Sequence, residues 1–261
     1  MRLLEKKRVL VTGAGSNVGR AVRVLFAEHG AALALADLDL QRARDAAGGA
    51  PGHEGRTPLV LQADLTKTAD CERMVREAVA ALGGIDVLCN TAGIDPPTAT
   101  RAHETSEADW DRILAVNLKG VFLSCKSVLP VMQSQGGGAI VNVASQGALL
   151  TLPAMTAYGV SKAGVLQLTR QIAADYARDG IRANCVCPSG LELPSLDRLA
   201  KLAPGQLERR AEVMKQAVPL GRVCTPADVA NAMLFLASDL AGFTSGAALP
   251  VEGGATTVLK F

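Results

Sequence analysis

Residues 7–19 read Lys7-Arg8-Val9-Leu10-Val11-Thr12-Gly13-Ala14-Gly15-Ser16-Asn17-Val18-Gly19. An apolar, β-branched run ends in a glycine-rich corner and passes into helical periodicity from Val18 to His29, which predicts strand, tight turn and helix. Glycines at such a corner let the chain turn sharply. They also let an anion approach the helix N-terminus, where unpaired amides and the helix dipole favour negative charge. At the end of a parallel strand this is the place for a pyrophosphate. The strict G-x-G-x-x-G spacing is not met, because its third glycine would fall on Val18, so the corner alone leaves open a turn without a ligand.

Outward from this corner the same alternation repeats. KRVLVTG, AALALAD, PLVLQAD, IDVLCNTAG, GAIVNVAS, IRANCVCP and AALPVEGG are strand candidates, separated by helical stretches that include Val18 to His29, Ala69 to Leu82, Trp110 to Met132, Met155 to Arg178 and Pro226 to Ala237. Strands apolar throughout and spaced by helices imply an α/β fold, a doubly wound, seven-stranded parallel sheet flanked by helices. No linker, repeat or low-complexity stretch divides residues 1–261, so one domain is expected. Residues 191–219 break the alternation, and Leu207, Ala211 and Met214 recur there at helical spacing, as in a helix laid over a site. A substrate lid is expected at about 191–219.

Composition narrows the function. Half the chain is hydrophobic (49%) and 27 basic residues balance 25 acidic ones to a net charge of +2, without a basic stripe to gather nucleic-acid phosphates. The N-terminal apolar run is too short for a signal peptide and no membrane-spanning length is expected, so the expected location is cytoplasmic. Six scattered cysteines and three histidines (His29, His53, His103) show no metal-ligand spacing, and Cys185 and Cys187 lie on one face of a strand, as buried free thiols.

The second strand ends in Leu35-Ala36-Asp37, about twenty residues beyond the corner, where a carboxylate can accept hydrogen bonds from both hydroxyls of a ribose. A 2′-phosphate within about 4 Å of Asp37 would be repelled by roughly 1 to 4 kcal/mol, which favours NAD over NADP. No arginine follows immediately; Arg42 and Arg44 are a helical turn or more away. Asp37 could also cap a helix starting at Leu38. Further along, Tyr158 and Lys162 are four residues apart, on one face if the segment is helical. An ammonium there could lower the phenol pKa from about 10 toward neutrality and make Tyr158 a usable base toward an alcohol.

Taken together, TGAGSNVG at 12–19, Asp64-Leu65, Asn90-Thr91-Ala92-Gly93, Asn117 in AVNLKG, Ser145 in IVNVASQG, Tyr158 with Lys162, Asn184 and Pro188 in RANCVCPSG, and LPVEGG resemble the short-chain dehydrogenase/reductase family, from Lys7 to about Thr256. The resemblance implies a Rossmann fold. It also implies Tyr158 as acid/base, Lys162 depressing its pKa and binding a nicotinamide ribose, Ser145 bonding the reacting oxygen, and Asn117 holding a relay water. It places Asp64 on the adenine with Leu65 beside it, Asn90, Thr91, Ala92 and Gly93 along the adenosine ribose, and Pro188 and Leu191 near the carboxamide. Gly13, Ser16, Asn17, Val18, Asp37 and Leu38 complete the expected cofactor contacts. Departures are Asn17 at a glycine position, Pro188-Ser189-Gly190 for the usual Pro-Gly, and Leu193 for a threonine.

Over the site, Gln146 to Met155, Ile94 to Thr98 and the lid are expected, and Leu149, Leu150, Leu152 and Met155 suggest an apolar or cyclic substrate. Arg198, Lys201, Arg209 and Arg210 could instead hold a carboxylate or phosphate, although a solvated helix face also explains them. A homotetramer through the 110–132 and 155–178 helices is implied by the family, with Ala157, Ala163 and Gly164 as small contact residues. The expected activity is NAD-dependent interconversion of a secondary alcohol and a ketone. The alternatives are an NADPH-dependent 3-oxoacyl reductase and a non-catalytic NAD-sensing protein.

Overall fold

The computed structural model describes residues 2–48, 57–191 and 205–258. Each of the seven apolar runs forms a strand: β1 (Arg8–Thr12), β2 (Ala32–Asp37), β3 (Leu59–Gln62), β4 (Val87–Asn90), β5 (Gly138–Val143), β6 (Ile181–Pro188) and β7 (Ala248–Val251). They pair in parallel in the order β3-β2-β1-β4-β5-β6-β7. The alternation of a strand covered on both faces is visible in β1, where Val9 and Val11 enter one core and Leu10 the other.

The helices are α1 (Asn17–Glu28), α2 (Leu40–Ala47), α3 (Thr68–Leu82), α4 (Glu107–Leu114), α5 (Gly120–Ser134), α6 (Thr156–Asp175), α7 (Gln206–Ala217) and α8 (Pro226–Ala237). One face of the sheet packs against α3, α5 and α6, the other against α1 and α8. Cys185 and Cys187 both point into the α3/α5/α6 core, and all six cysteines are buried and free. Leu207, Ala211 and Met214 form the half-buried stripe of an otherwise exposed α7. The rest of the expected lid, with Leu193, Arg198 and Lys201, lies outside the described residues.

Two features differ from the sequence expectation. Helix α2 starts at Leu40, two residues beyond the Leu38 start weighed from the sequence, and with only Ala43 and Ala46 of its eight residues buried it leaves little apolar periodicity. The expected 110–132 helix is a longer run, Glu107–Ser134, interrupted by a π-helical turn at Ala115–Lys119. That run of 28 residues is long and apolar enough to cross a membrane, contrary to the expectation of no such stretch. Half of its apolar 18-residue window is buried inside the fold, and Ile113, Val121, Val128 and Met132 are completely or nearly completely covered. A core position accounts for its apolarity.

The strand order reverses between β1 and β4, so their connections leave in opposite directions. The carboxyl ends there flank the crevice in which open α/β sheets bind ligands.

Candidate active site

At the end of β1 the chain turns at Gly13 (φ +67°), where a Cβ would lie 2.5 Å from the Ala92 backbone. Only glycine allows the two loops to touch there. Ser16 caps α1, its Oγ accepting from Gly19 N at 3.0 Å, and Asn17 and Val18 form the first turn, whose amides have no intrahelical acceptor to reach. Asn17 needs no unusual backbone. Among the described residues the non-glycine positions with positive φ are Lys6 and Ala154, so the helical geometry at 17 suits asparagine as well as glycine.

Two cavities meet at this corner, sharing Ser16, Asn17, Gly93 and Ile94 in their walls. The one on the β2–β3 side, about 210 Å³, is also lined by Gly13, Asp37, Leu38, Asp64, Leu65 and Ala92. Asp37 accepts Gly15 N–H on Oδ2 at 2.9 Å and Asp39 N–H on Oδ1 at 3.1 Å. Both oxygens are thereby held toward the cavity wall with lone pairs to spare. Asp37 is not the helix cap: that residue is Asp39, which accepts from Gln41 N and Arg42 N at 2.8 and 3.2 Å. Arg42 lines the same cavity, nearer to Asp37 than sequence distance suggests, with its Nε 3.6 Å from Asp39 Oδ2. Arg44 lies at a different surface. Asp64 Oδ1 accepts from Thr66 N and Oγ1 at 3.0 and 2.7 Å, and the Thr66 hydroxyl foremost holds its carboxyl below the usual range.

Asn90 is a correction. It lines neither cavity, being 1% exposed. Its Oδ1 accepts from Thr12 Oγ1 and Ser124 Oγ at 3.0 and 2.7 Å, and its Nδ2 donates to Asn142 Oδ1 at 2.8 Å. This buried network joins β1, β4, β5 and α5 and sets the loop 91–93 in place. Thr91, expected along the adenosine ribose, instead lines the second cavity and donates to Thr12 O at 2.8 Å.

The second cavity, about 260 Å³, opens over the ends of β5 and β6. Val18, Ser145, Tyr158, Lys162, Pro188 and Leu191 line it, as do Ile94, Asp95, Gln146, Leu152, Met155 and Ser189. Leu149 and Leu150 do not, so the apolar edge is narrower than the sequence suggests. Ser145 Oγ accepts from Gly147 N at 3.0 Å, capping a short turn, and its hydroxyl acts on the Tyr158 phenol, drawing its pKa down. Lys162 is buried, donates to Val143 O at 2.9 Å, and stands 5.8 Å from the Tyr158 ring centroid.

The electrostatics differ from expectation. Burial pushes the Tyr158 phenol up to about 12, opposed by the Ser145 hydroxyl and reinforced by the Asp95 carboxylate. Burial lowers Lys162 to about 8, opposed by Asp95. In the protein alone desolvation outweighs any depression of the phenol by the ammonium. Asn117 sits in the π-helical turn, a feature often found at functional sites. Its Oδ1 accepts from Ile94 N at 2.8 Å while its Nδ2 donates to Ile94 O and Ser161 Oγ at 3.0 and 3.2 Å. Its side chain therefore fastens the loop after β4.

Residues 13–256 match a family model described as enoyl-(acyl carrier protein) reductase. Over 252 residues, 97% of this chain and 98% of the relative, the sequence is 39% identical to an uncharacterised oxidoreductase of Thermotoga maritima. The chain belongs to the short-chain dehydrogenase/reductase family. Among other short-chain dehydrogenases, it is 37% identical over 250 residues to the 2-(R)-hydroxypropyl-CoM dehydrogenase of Xanthobacter autotrophicus, covering 95% of this chain and 98% of that one. The crystal structure of levodione reductase matches with a TM-score of 0.90 and 32% identity, covering 98% of this chain and 100% of that chain. This short-chain dehydrogenase/reductase is thus an oxidoreductase whose fold binds a nicotinamide dinucleotide.

The crevice fits such a group. Gly13 and Gly19 keep the corner tight enough for backbone amides to face an anion, a Cβ on Gly19 falling 2.4 Å from Gly13 O. Two cavities joined at that corner suit the two halves of a dinucleotide. Two buried polar atoms, Gln146 Oε1 and Ser189 Oγ, have no partner among the described residues, and both residues line the second cavity. Buried polar atoms without a partner are costly, so they are the natural contacts of a bound molecule.

Proposed function

We propose that this short-chain dehydrogenase/reductase interconverts a secondary alcohol and a ketone with NAD, Tyr158 acting as general acid/base. The observation that carries the proposal is the meeting of Ser145, Tyr158 and Lys162 in one cavity that opens onto the α1 corner. When bound, a nicotinamide dinucleotide supplies the two-electron acceptor or donor. The protein's own groups manage the proton. Tyr158 takes the carbinol proton in oxidation and returns it in reduction, and Ser145 donates a hydrogen bond to the reacting oxygen. Lys162, anchored by Val143 O, holds a positive charge beside the phenol and is within the cavity that would receive the nicotinamide ribose. Asn17, Val18, Gly13 and Ser16 would face the pyrophosphate, Asp37 and Leu38 the adenosine ribose, Asp64 and Leu65 the adenine, Ala92 and Gly93 the ribose edge, and Pro188 and Leu191 the carboxamide.

Asp37 supports NAD, since its carboxylate stands in the cavity wall and would repel a 2′-phosphate. Arg42 in the same wall favours a second reading, an NADPH-dependent reductase of 3-oxoacyl groups. Calorimetric titration with NAD and NADP separates the two: tighter NAD binding is expected, and tighter NADP binding would sink the NAD assignment.

Six buried free thiols support a cytoplasmic location, where a reducing environment keeps them so. The proposed assembly is a homotetramer. Of the small residues expected at its contact, Ala157 is buried within the chain and a Cβ on Gly164 would meet Leu118 at 2.8 Å, so both serve internal packing. Support comes instead from an apolar surface hollow formed by Trp110, Leu114, Leu118, Phe122 and Leu168.

A further inference from the structure

The wall of the second cavity combines the apolar side chains of Ile94, Leu152, Met155 and Leu191 with the polar ones of Asp95 and Gln146, beside Ser145, Tyr158 and Lys162. Gln146 follows Ser145 in the chain and lines the same cavity as Ser145, Tyr158 and Lys162. Its Oε1 is fully covered and without a partner among the described residues. A buried amide oxygen left so is destabilising unless a bound molecule completes it. The group that completes it must bring a donor. A hydroxyl does this best, because it both donates and accepts and so satisfies the amide whichever way its oxygen and nitrogen are turned.

Resting on the dehydrogenase reading above, we propose that Gln146 is a specificity-determining residue that binds a second hydroxyl of the substrate, close to the carbinol undergoing reaction. The substrate class is then a diol with an apolar body, and the matching product is a hydroxyketone. The second hydroxyl is unchanged in the reaction. A simple secondary alcohol leaves the Gln146 oxygen unmatched, and sites built to hydrogen-bond a hydroxyl discriminate strongly against analogues that lack it. Ser189 Oγ, the other buried atom without a partner, follows Pro188 at the end of β6, away from the Ser145–Gln146 turn in sequence. It is left for the carboxamide end of the cofactor.

The test compares cyclohexanol with cis- and trans-1,2-cyclohexanediol, which differ only in the second hydroxyl. Binding is measured by calorimetry to the NAD-loaded Tyr158→Phe protein, which reports affinity without turnover, and kcat/KM is measured with the unaltered enzyme. The expected result is that at least one diol binds and reacts about tenfold or more better than cyclohexanol, and that Gln146→Leu removes most of this preference. Equal affinity for diol and monool in the Gln146-containing protein overturns the proposal, while turnover of either leaves the dehydrogenase reading standing. So does a Gln146→Leu protein that loses NAD affinity but keeps the diol preference, since the amide would then serve the cofactor. Absence of turnover across all secondary alcohols tells against the dehydrogenase reading, and the binding comparison still decides the role of Gln146.

Discussion

At the scale of single residues, Tyr158 and Lys162 carry opposite consequences of burial. With the phenol pushed up to about 12, proton abstraction is the demanding direction, and alcohol oxidation should accelerate as pH rises while ketone reduction should not. Initial rates in both directions from pH 6 to 10 check this. Tyr158→Phe should lower turnover by at least about a hundredfold with cofactor affinity retained, and undiminished activity would end the proposed acid/base role. Lys162 has its pKa lowered on folding from 10.5 to about 8, so the folded state binds fewer protons than the unfolded chain in that interval. Its ammonium therefore costs stability below pH 8, and the cost recedes as pH rises through 8 to 10.5. Lys162→Met should accordingly stabilise the fold at pH 7 by roughly 2 kcal/mol, allowing for the lost bond to Val143 O, and by much less at pH 10. Urea midpoints at the two pH values measure it; a destabilised variant at pH 7 would show that the ammonium is better compensated than its burial implies. The Tyr158–Lys162 spacing was legible in the sequence because four residues on a helix fix which face both occupy. The direction of the phenol shift was not, because desolvation depends on what the fold packs around the ring.

Asp37 and Asn90 show what helices, strands and their connections add. At the end of β2, Asp37 is readable from its distance to the glycine corner, but the arginine beside it is not. The position of Arg42 depends on α2, a helix with two buried alanines whose only sequence signal is the cap at Asp39. Asp37→Ser should remove the repulsion of a 2′-phosphate and leave Arg42 in the same wall, so the NAD-to-NADP preference ought to fall by a factor of about ten or more. Unchanged affinity ratios would mean that Asp37 does not face the ribose. Asn90 belongs to a motif that points to the cofactor, yet its side chain links four elements beneath the site. Asn90→Ala leaves Thr12, Ser124 and Asn142 short of partners and should cost about 2–4 kcal/mol in a denaturant titration, with NAD affinity of the folded fraction little changed. A large loss of NAD affinity at unaltered stability would restore Asn90 to the binding surface. The π-helical turn holding Asn117 was likewise hidden, since one extra residue in a helical turn barely disturbs an apolar periodicity.

For the whole molecule, the doubly wound sheet was legible because the inner strands are buried on both faces and read as largely apolar runs separated by helices. The reversal of strand order between β1 and β4 brings loops distant in sequence, those after Thr12, Asn90, Val143 and Pro188, to one edge. The motif spacing could name those loops, but not the orphaned amide of Gln146 between them. The outer face of α4, α5 and α6 is a separate matter: Phe122 is 45% exposed beside Trp110 and Leu118, in an apolar hollow a partner chain would cover. Sedimentation at micromolar concentration should give the mass of four chains, and Phe122→Asp should shift it downward; a single-chain mass for the unaltered protein would rule the tetramer out. The central claim meets its most direct test in the absorbance of reduced nicotinamide, followed as purified protein is mixed with NAD or NADP and a panel of secondary alcohols and diols. Reduction of NAD in preference to NADP, absent in Tyr158→Phe, is the expected result. No reduction of either cofactor across the panel, or equal rates with and without the Tyr158 hydroxyl, would contradict it.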